Sequence, residues 1–203
     1  MIARRSLRAL GALAAAIATV AVLSLAAGAH DSDFNDPNDT GGKLDVAEVR
    51  VAHEPGPPRW SVLTFAEWTN PQMWDRGYVM VFLDTRDDAA ADYYLLVRST
   101  GSRLEGTLWQ LRSKGPDSYL GTVPVGRPTT RSVLVQVGLR RLAFGPTRQF
   151  YRWRVQTVFT SETCPRTCQD RAPNAEQVLQ WRPGMSPTPS PSPSASPSEA
   201  PAP

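Results

Sequence analysis

Strict alternation of apolar and polar residues is the feature that most constrains the fold of this chain. In residues 149–160, large and mostly apolar side chains occupy every second position from Tyr151 to Phe159, while arginine or glutamine lies between them at 152, 154 and 156. Residues 131–139 alternate in the same way, with three valines and a leucine on one side. Because successive side chains of a strand point to opposite faces, both segments are predicted to be strands with one buried face and one wet face.

Six further segments have the length and composition of strands, and short turns separate them. They are residues 44–53, 59–68, 77–83, 93–98, 103–112 and 119–125. A shift of phase at Ala47 and Glu48 predicts a β-bulge, and the unbroken apolar run 77–83 is typical of a central strand covered on both faces. Helical turns are expected only at 70–74 and 139–144. The chain is therefore predicted to be an all-β antiparallel sandwich of about eight strands.

Both ends of the 203-residue chain differ in composition from the middle. Residues 1–29 combine three arginines, an apolar run and the sequence Ala27-Gly28-Ala29, which together predict a signal peptide cleaved after Ala29. The alternative is an uncleaved membrane anchor, because the run is long enough to span a bilayer. Residues 183–203 alternate proline with serine and predict a disordered tail. One domain, residues 30–182, is expected between them.

The charge balance excludes a class of partners. The chain has 22 Lys and Arg against 19 Asp and Glu, and the signal segment holds three of the arginines and no acid. Since 22 − 3 = 19, the mature protein is expected to have no net charge. The basic excess gives no reason to propose a nucleic acid partner, and the expected state is an exported monomer, secreted or at the cell surface.

The two cysteines predict a disulfide. Cys164 and Cys168 enclose three residues after the last long strand, and a close, even pair in an exported protein is most simply bonded. The only histidines are His30 and His53, too few to complete a zinc site with the cysteines. The chain has no nucleophile-elbow motif with which His53 could form a catalytic triad, and it has no phosphate-binding glycine motif. We therefore predict a protein that is not an enzyme.

Two acidic segments are candidate calcium sites, because hard cations prefer carboxylate and amide oxygens. The first is the mature N-terminus, with Asp31, Asp33 and Asn35 at alternate positions before a Gly-Gly turn. Its spacing does not fit an EF-hand, and a solvated leader of Asx-turns is the alternative.

The second candidate is the loop of residues 84–92, where Asp84, Asp87 and Asp92 lie between two strands. Because the strand ends come together, these carboxylates are expected to repel one another unless Ca²⁺ or an arginine neutralises them. Arg86 is the neutraliser inside the loop. A plain solvated turn is the alternative.

Aromatic residues supply the remaining signal. Carbohydrate sites use aromatic faces for stacking, whereas tryptophans in a small sandwich usually fill the core. The regular alternation around Trp60 and Trp153 indicates core positions. Trp74, in a polar loop, and Trp109, beside Gln110, are the candidate ligand-binding residues.

Three motifs support a resemblance: the D-T-R-x-D loop within residues 84–94, the G-x-L-D-V entry at 42–46, and the Y-R-W-R-V strand at 151–155. In these the chain resembles exported β-sandwich proteins of actinobacteria and, more remotely, DOMON-like and family-9-type carbohydrate-binding modules. The resemblance implies a jelly-roll-like sandwich and a non-catalytic binding or adhesion module, with carbohydrate as favoured ligand and calcium as a structural ion. A secreted hydrolase and a protein-interaction domain are the alternatives. No Met/His pair disposed for haem is found.

Overall fold

The computed structural model describes residues 32–52, 57–86, 88, 90–144, 151–161, 164–173 and 179–181. These residues form a sandwich of two antiparallel sheets. The twelve described strands are β1 (Ser32–Asn35), β2 (Val46–Ala52), β3 (Arg59–Thr64), β4 (Gly77–Asp84), β5 (Tyr93–Ser99), β6 (Leu104–Gln110), β7 (Ser118–Val123), β8 (Val125–Gly126), β9 (Ser132–Gln136), β10 (Tyr151–Ser161), β11 (Cys164–Ala172) and β12 (Leu179–Trp181). A short helix, α1 (Asn70–Met73), and a 3₁₀ turn, Leu139–Arg141, are the helical elements described.

The strands divide into sheets that each draw on both halves of the chain. The first sheet has the order β1-β2-β3-β9-β8. The second has the order β11-β10-β4-β5-β6-β7, with β12 also paired to β10. Strands β3 and β9 come from distant parts of the sequence, as do β4 and β10. The fold therefore depends on long-range pairing more than on hairpins alone.

The core lies between the two sheets, and period-two alternation determines which side chains enter it. In β10 every second residue is buried from Tyr151 to Phe159, and Trp60 and Trp153 are fully enclosed as expected. The first sheet contributes mostly valines from β2, β3 and β9. Burial of one face of each sheet removes the largest apolar area from water and is the main stabilising term.

The predicted fold class is confirmed, and each of the eight predicted strands is present. The β-bulge is confirmed as well, since the register of β2 on β3 shifts between Val46 and Glu48, and helical turns form in both predicted segments. The strand number was too low. Strands β1, β11 and β12 were not predicted, and residues 119–125 divide into β7 and β8, because edge pairing in these segments does not depend on apolar alternation.

The prediction that residues 77–83 are covered on both faces was wrong in one respect. Strand β4 is central in its sheet, and Val79, Val81 and Leu83 are buried in the core. The alternate side chains, among them Tyr78 and Phe82, are only half-buried. An apolar run therefore does not mean two covered faces here, because the outer face of this sheet carries a partly exposed aromatic surface.

Several predictions concern residues outside the described part of the chain. These are the signal segment 1–29, the tail 183–203, Asp31, Asp87 and the two histidines, His30 and His53. Within the described ranges, no helix has the length and apolar character needed to cross a membrane.

Candidate functional site

Four aromatic side chains form a continuous row across the outer face of the second sheet. Strand register places Phe82 opposite Tyr94, Tyr94 opposite Trp109, and Trp109 opposite Tyr119. On β10, Arg154 lies opposite Phe82 and extends the row by one strand. Because all four rings occupy directly paired positions, they stand on the same face of the sheet. We call Phe82, Tyr94, Trp109 and Tyr119 the aromatic row.

The rings of the aromatic row contact one another in sequence. The ring centroids of Phe82 and Tyr94 are 5.9 Å apart, and those of Tyr94 and Trp109 are 6.1 Å apart with planes parallel to within 4°. Tyr119 meets Trp109 edge-on at 5.3 Å. At the other end the guanidinium of Arg154 lies 4.8 Å from the centroid of Phe82. Contacts of this kind hold aromatic rings in defined orientations.

Hydrogen bonds orient the two central rings. The indole Nε1 of Trp109 donates to Oγ1 of Thr107 over 2.9 Å. Burial raises the pKa of Tyr94, and the negative charge of Asp117 and a hydrogen bond to it raise that pKa further. The tyrosine therefore remains neutral and bound to Asp117. A preorganised aromatic surface loses little side-chain entropy when a ligand binds.

A groove of about 520 Å³ runs beside Trp109 and Tyr119. Its polar lining residues are Arg98, Arg103, Glu105, Thr107 and Thr122. Glu105 contacts Arg98 at 3.3 Å and Arg103 at 3.2 Å, and both arginines are largely exposed. The groove thus combines an aromatic wall with charged and hydroxyl groups.

The two tryptophans predicted from the sequence lie in different surroundings. Trp109 is half-buried in the aromatic row. Trp74 is 56% exposed and follows α1, where it packs against the turn at Gly101 and borders a smaller groove of about 220 Å³. Sequence reasoning missed Phe82, Tyr94 and Tyr119 as surface aromatics. Their shared register would have identified them, but register depends on strand pairing.

Two predicted metal ligands in the loop of residues 84–92, Asp84 and Asp92, accept hydrogen bonds from other residues of the same loop. Both oxygens of the buried Asp92 carboxylate are engaged: Oδ2 accepts from the amide and hydroxyl of Thr85, at 2.8 and 2.9 Å, and Oδ1 is paired with the guanidinium of Arg86. Asp84 accepts from the amide of Arg86 over 3.0 Å, and burial raises its pKa. Arg86 pairs with Asp92, as the sequence indicated, and we do not place a cation in this loop because hydrogen bonds already engage both oxygens of Asp92.

The described N-terminal candidates belong to a strand rather than a ligand loop. Asp33 and Asn35 lie in β1 with exposed side chains. Asp33 Oδ1 accepts a hydrogen bond from Arg50 Nε on the neighbouring strand over 2.8 Å. The structure does not bring these two residues together with Asp84 and Asp92 as a single site.

A different set of carboxylates converges at the edge of the sandwich. Carboxylate oxygens of Asp36, Asp39 and Asp170 lie within 4.8 Å of one another. The carboxyl group of Asp45 is hydrogen-bonded to that of Asp170. We call these four residues the acidic cluster. The sequence indicated the acidic N-terminal segment, but nothing in it indicated Asp170, which comes from the far end of the domain.

Electrostatic repulsion and burial both act on the acidic cluster. Burial raises the pKa of Asp36 to about 7, and the charges of Asp170, Asp39 and Asp45 add to the effect. Burial likewise raises the pKa of Asp45 to about 6, with Asp170 as the next cause. The pKa of Asp170 is raised by burial against the opposing effect of amides from Val46 and Arg171. Carboxylates with raised pKa values favour a bound proton or a cation.

The predicted disulfide between Cys164 and Cys168 is present at the hairpin of β10 and β11. Its Cys168 end packs against the turn that follows the acidic segment: a Cβ placed on Gly41 would lie 3.9 Å from the sulfur. Gly42 has φ +117° and requires glycine for its backbone conformation. The disulfide and the turn therefore hold the strand that carries Asp170 beside the loop that carries Asp39.

Comparison with protein-family models, with curated proteins and with solved structures found no match to this chain.

Proposed function

We propose that this protein is an exported, non-catalytic binding module that holds carbohydrate in the groove beside the aromatic row. The observation that carries the proposal is the groove itself, in which Trp109 and Tyr119 stand beside charged and hydroxyl side chains. Apolar faces of sugar rings pack on aromatic side chains, and sugar hydroxyls pair with polar groups of this kind.

The charged residues of the groove can exchange their contacts with one another for hydrogen bonds to ligand hydroxyls. Glu105 is shared by Arg98 and Arg103, and all three keep access to water. Ion pairs in such exposed positions contribute little to stability. A bound sugar can therefore replace part of their mutual contact without a large energetic cost, and the three groups offer both donors and acceptors.

The presence of a single carboxylate in the described lining of the groove favours binding over hydrolysis. Glycoside hydrolysis in most families uses two carboxyl groups on either side of the bond to be cleaved. Among the described lining residues Glu105 is the only carboxylate, and two arginines contact it. This arrangement favours a module that retains carbohydrate over one that cleaves it.

A glycan array probed with the purified protein tests the proposal, followed by calorimetry with the glycan that binds best. Tyr119→Ala is expected to weaken binding at least about tenfold, because a loss of roughly 1.4 kcal/mol of stacking is a tenfold change. Tyr119 is 54% exposed on β7, so its removal should leave the fold intact. Phe65→Ala is the matched control, since Phe65 is 37% exposed and follows β3 in the other sheet.

Three outcomes would contradict the proposal. They are a blank array, an equal loss of affinity in Phe65→Ala, and release of reducing ends from a bound oligosaccharide. If no glycan binds and another exported protein binds through Tyr119, the ligand of this surface is a protein and not a carbohydrate.

A further inference from the structure

We infer that the acidic cluster of Asp36, Asp39, Asp45 and Asp170 is a calcium site that joins the two sheets of the sandwich. The first three residues lie in the segment that connects β1 to β2 in the first sheet, and Asp170 lies in β11 of the second sheet. A cation bound by Asp36, Asp39 and Asp170, with Asp45 beside them, would link the N-terminal segment to the C-terminal strand.

Three carboxylate oxygens lie close enough together to bind one calcium ion. Ca²⁺ binds oxygens at about 2.3–2.6 Å, so two ligands on opposite sides of the ion lie roughly 4.6–5.2 Å apart. Oxygens of Asp36, Asp39 and Asp170 are all within 4.8 Å of one another. Mg²⁺ requires shorter bonds in a near-ideal octahedron and usually keeps several waters, so a site built from several carboxylates suits it less well.

A buried oxygen provides a second and independent indication of a ligand. Asp45 is only 3% exposed, and its Oδ1 accepts no hydrogen bond from any residue that the structure describes, although the carboxyl group as a whole also contacts the backbone of Thr40. A buried acceptor atom that receives no hydrogen bond costs free energy in a folded protein unless a ligand satisfies it. The same carboxyl group is hydrogen-bonded to Asp170 and therefore lies at the cluster.

The chemistry of the cluster selects a hard cation. Its ligand groups are carboxylates, with neither imidazole nor thiolate among them, and such all-oxygen sets suit calcium, magnesium or manganese. Two carboxyl groups in contact, such as Asp45 and Asp170, need a shared proton or a cation between them. Calcium can take the place of that proton and neutralise the neighbouring charges of Asp36 and Asp39.

The backbone around the cluster is fixed by hydrogen bonds. The amide of Asp36 donates to the carbonyl of Ala47 over 3.0 Å, which closes the base of the loop. The hydroxyl of Thr157 on β10 donates to the carbonyl of Leu44 over 2.6 Å and connects the loop to the second sheet. A loop held in this way brings its carboxylates together before the ion binds, which lowers the cost of ordering them.

The inferred role is structural and separate from the carbohydrate groove. Asp170 is on β11 at one edge of the second sheet, whereas Trp109 and Tyr119 are on β6 and β7 at the other edge. Asp170 also faces inward, since it is buried and paired with the buried Thr157. A cation at the cluster is therefore four strands away from β6, roughly 19 Å at the usual strand spacing.

Calorimetric titration of the EDTA-treated, desalted protein with CaCl₂ tests the inference. One saturable site is expected below about 1 mM, the range of extracellular calcium modules. Asp39→Asn should weaken this site at least about tenfold, and because Asp39 is exposed the variant should fold. Asp33→Asn is the matched control, because Asp33 is acidic, exposed and paired with Arg50. MgCl₂ should bind at least about tenfold more weakly than CaCl₂.

Melting of the unmodified protein gives a readout that needs no variant. The midpoint should rise by about 5 °C or more between excess EDTA and excess CaCl₂, as expected for a ligand that binds only the folded state. No saturable binding up to about 10 mM CaCl₂ would overturn the inference, given the usual range of calcium affinities. Unchanged affinity in Asp39→Asn, or equal affinity for magnesium, would also overturn it.

Discussion

Asp170 Oδ2 accepts a hydrogen bond of 2.6 Å from the backbone amide of Val46. Val46 is the first residue of β2 in one sheet, and Asp170 lies in β11 of the other. A buried carboxylate therefore connects the two sheets in the protein itself, before any ion is considered. Charged acceptors of this kind form stronger hydrogen bonds than neutral ones.

Removal of that acceptor should destabilise the protein. We expect Asp170→Ala to lower the free energy of unfolding by about 1–3 kcal/mol in EDTA, because the buried amide of Val46 loses its partner. Asp170→Asn keeps an acceptor oxygen and removes a repelling charge, so its stability in EDTA should equal or exceed that of the wild type. Urea denaturation measures both. Identical midpoints for the two variants would show that the bond to Val46 contributes nothing measurable.

The metal-free protein should lose stability as the pH rises. The pKa values of Asp36 and Asp45 are about 7 and about 6 in the folded protein, against 3.8 for an ordinary aspartate. A raised pKa means that the folded state binds protons more tightly, so the contribution of these groups is complete below about pH 4 and is lost as the pH rises through 6 and 7.

Urea denaturation in EDTA at pH 5 and pH 8 measures this loss. The decrease in the free energy of unfolding between the two pH values should be smaller in Asp36→Asn than in the wild type, because asparagine does not titrate. The same decrease in both proteins would contradict the assignment to Asp36. In excess CaCl₂ the decrease should be reduced, since calcium neutralises the carboxylates that repel one another.

Loss of the disulfide should weaken calcium binding without affecting the groove. Cys168 packs against Gly41 and Gly42, and Asp170 follows it by two residues. We expect the double variant Cys164→Ser, Cys168→Ser to bind calcium about tenfold more weakly, a usual effect of disturbing the residues that support metal ligands. Calorimetry with CaCl₂ measures this, and glycan affinity serves as the internal control. Calcium affinity equal to that of the wild type would exclude such support.

Asp92 should matter for stability and not for calcium. It is 2% exposed, and Thr85 and Arg86 occupy its oxygens. Asp92→Ala is therefore expected to lower the free energy of unfolding by about 1–3 kcal/mol, the cost of leaving buried donors unpaired. Its calcium affinity should match that of the exposed control Asp88→Ala. Loss of calcium binding in Asp92→Ala, but not in Asp88→Ala, would show that the calcium site lies in the loop of residues 84–92.

The acidic residues show which features of the candidate site could be predicted from the sequence and which could not. Alternating acidic residues at the N-terminus led to the prediction of a calcium site there, but the two described candidates, Asp33 and Asn35, lie exposed in β1. Asp36 and Asp39, a few positions further along, meet Asp170 instead. More than 130 residues separate Asp36 from Asp170, so their proximity depends on the pairing of β10 with β11 and on contact between the sheets.

The aromatic residues lead to the same conclusion. Trp109 was recognisable as a surface candidate because polar residues flank it, whereas Tyr94 sits in a β-rich run that gives no sign of which face it occupies. Phe82 belongs to an apolar segment that indicated burial. Only the alignment of β4, β5, β6 and β7 turns these separate positions into one row.

Local patterns in the sequence were enough to predict the all-β class, the inward and outward faces of β9 and β10, the bulge at the start of β2 and the disulfide. Each is a local property, because alternation, turn residues and cysteine spacing act within about ten residues of chain. Tertiary structure alone decided which carboxylates meet and which aromatics align, since both depend on strand order and register. Arg86 pairs with Asp92 inside one short loop, whereas Asp170 becomes a partner of the N-terminal acids only after the sandwich closes.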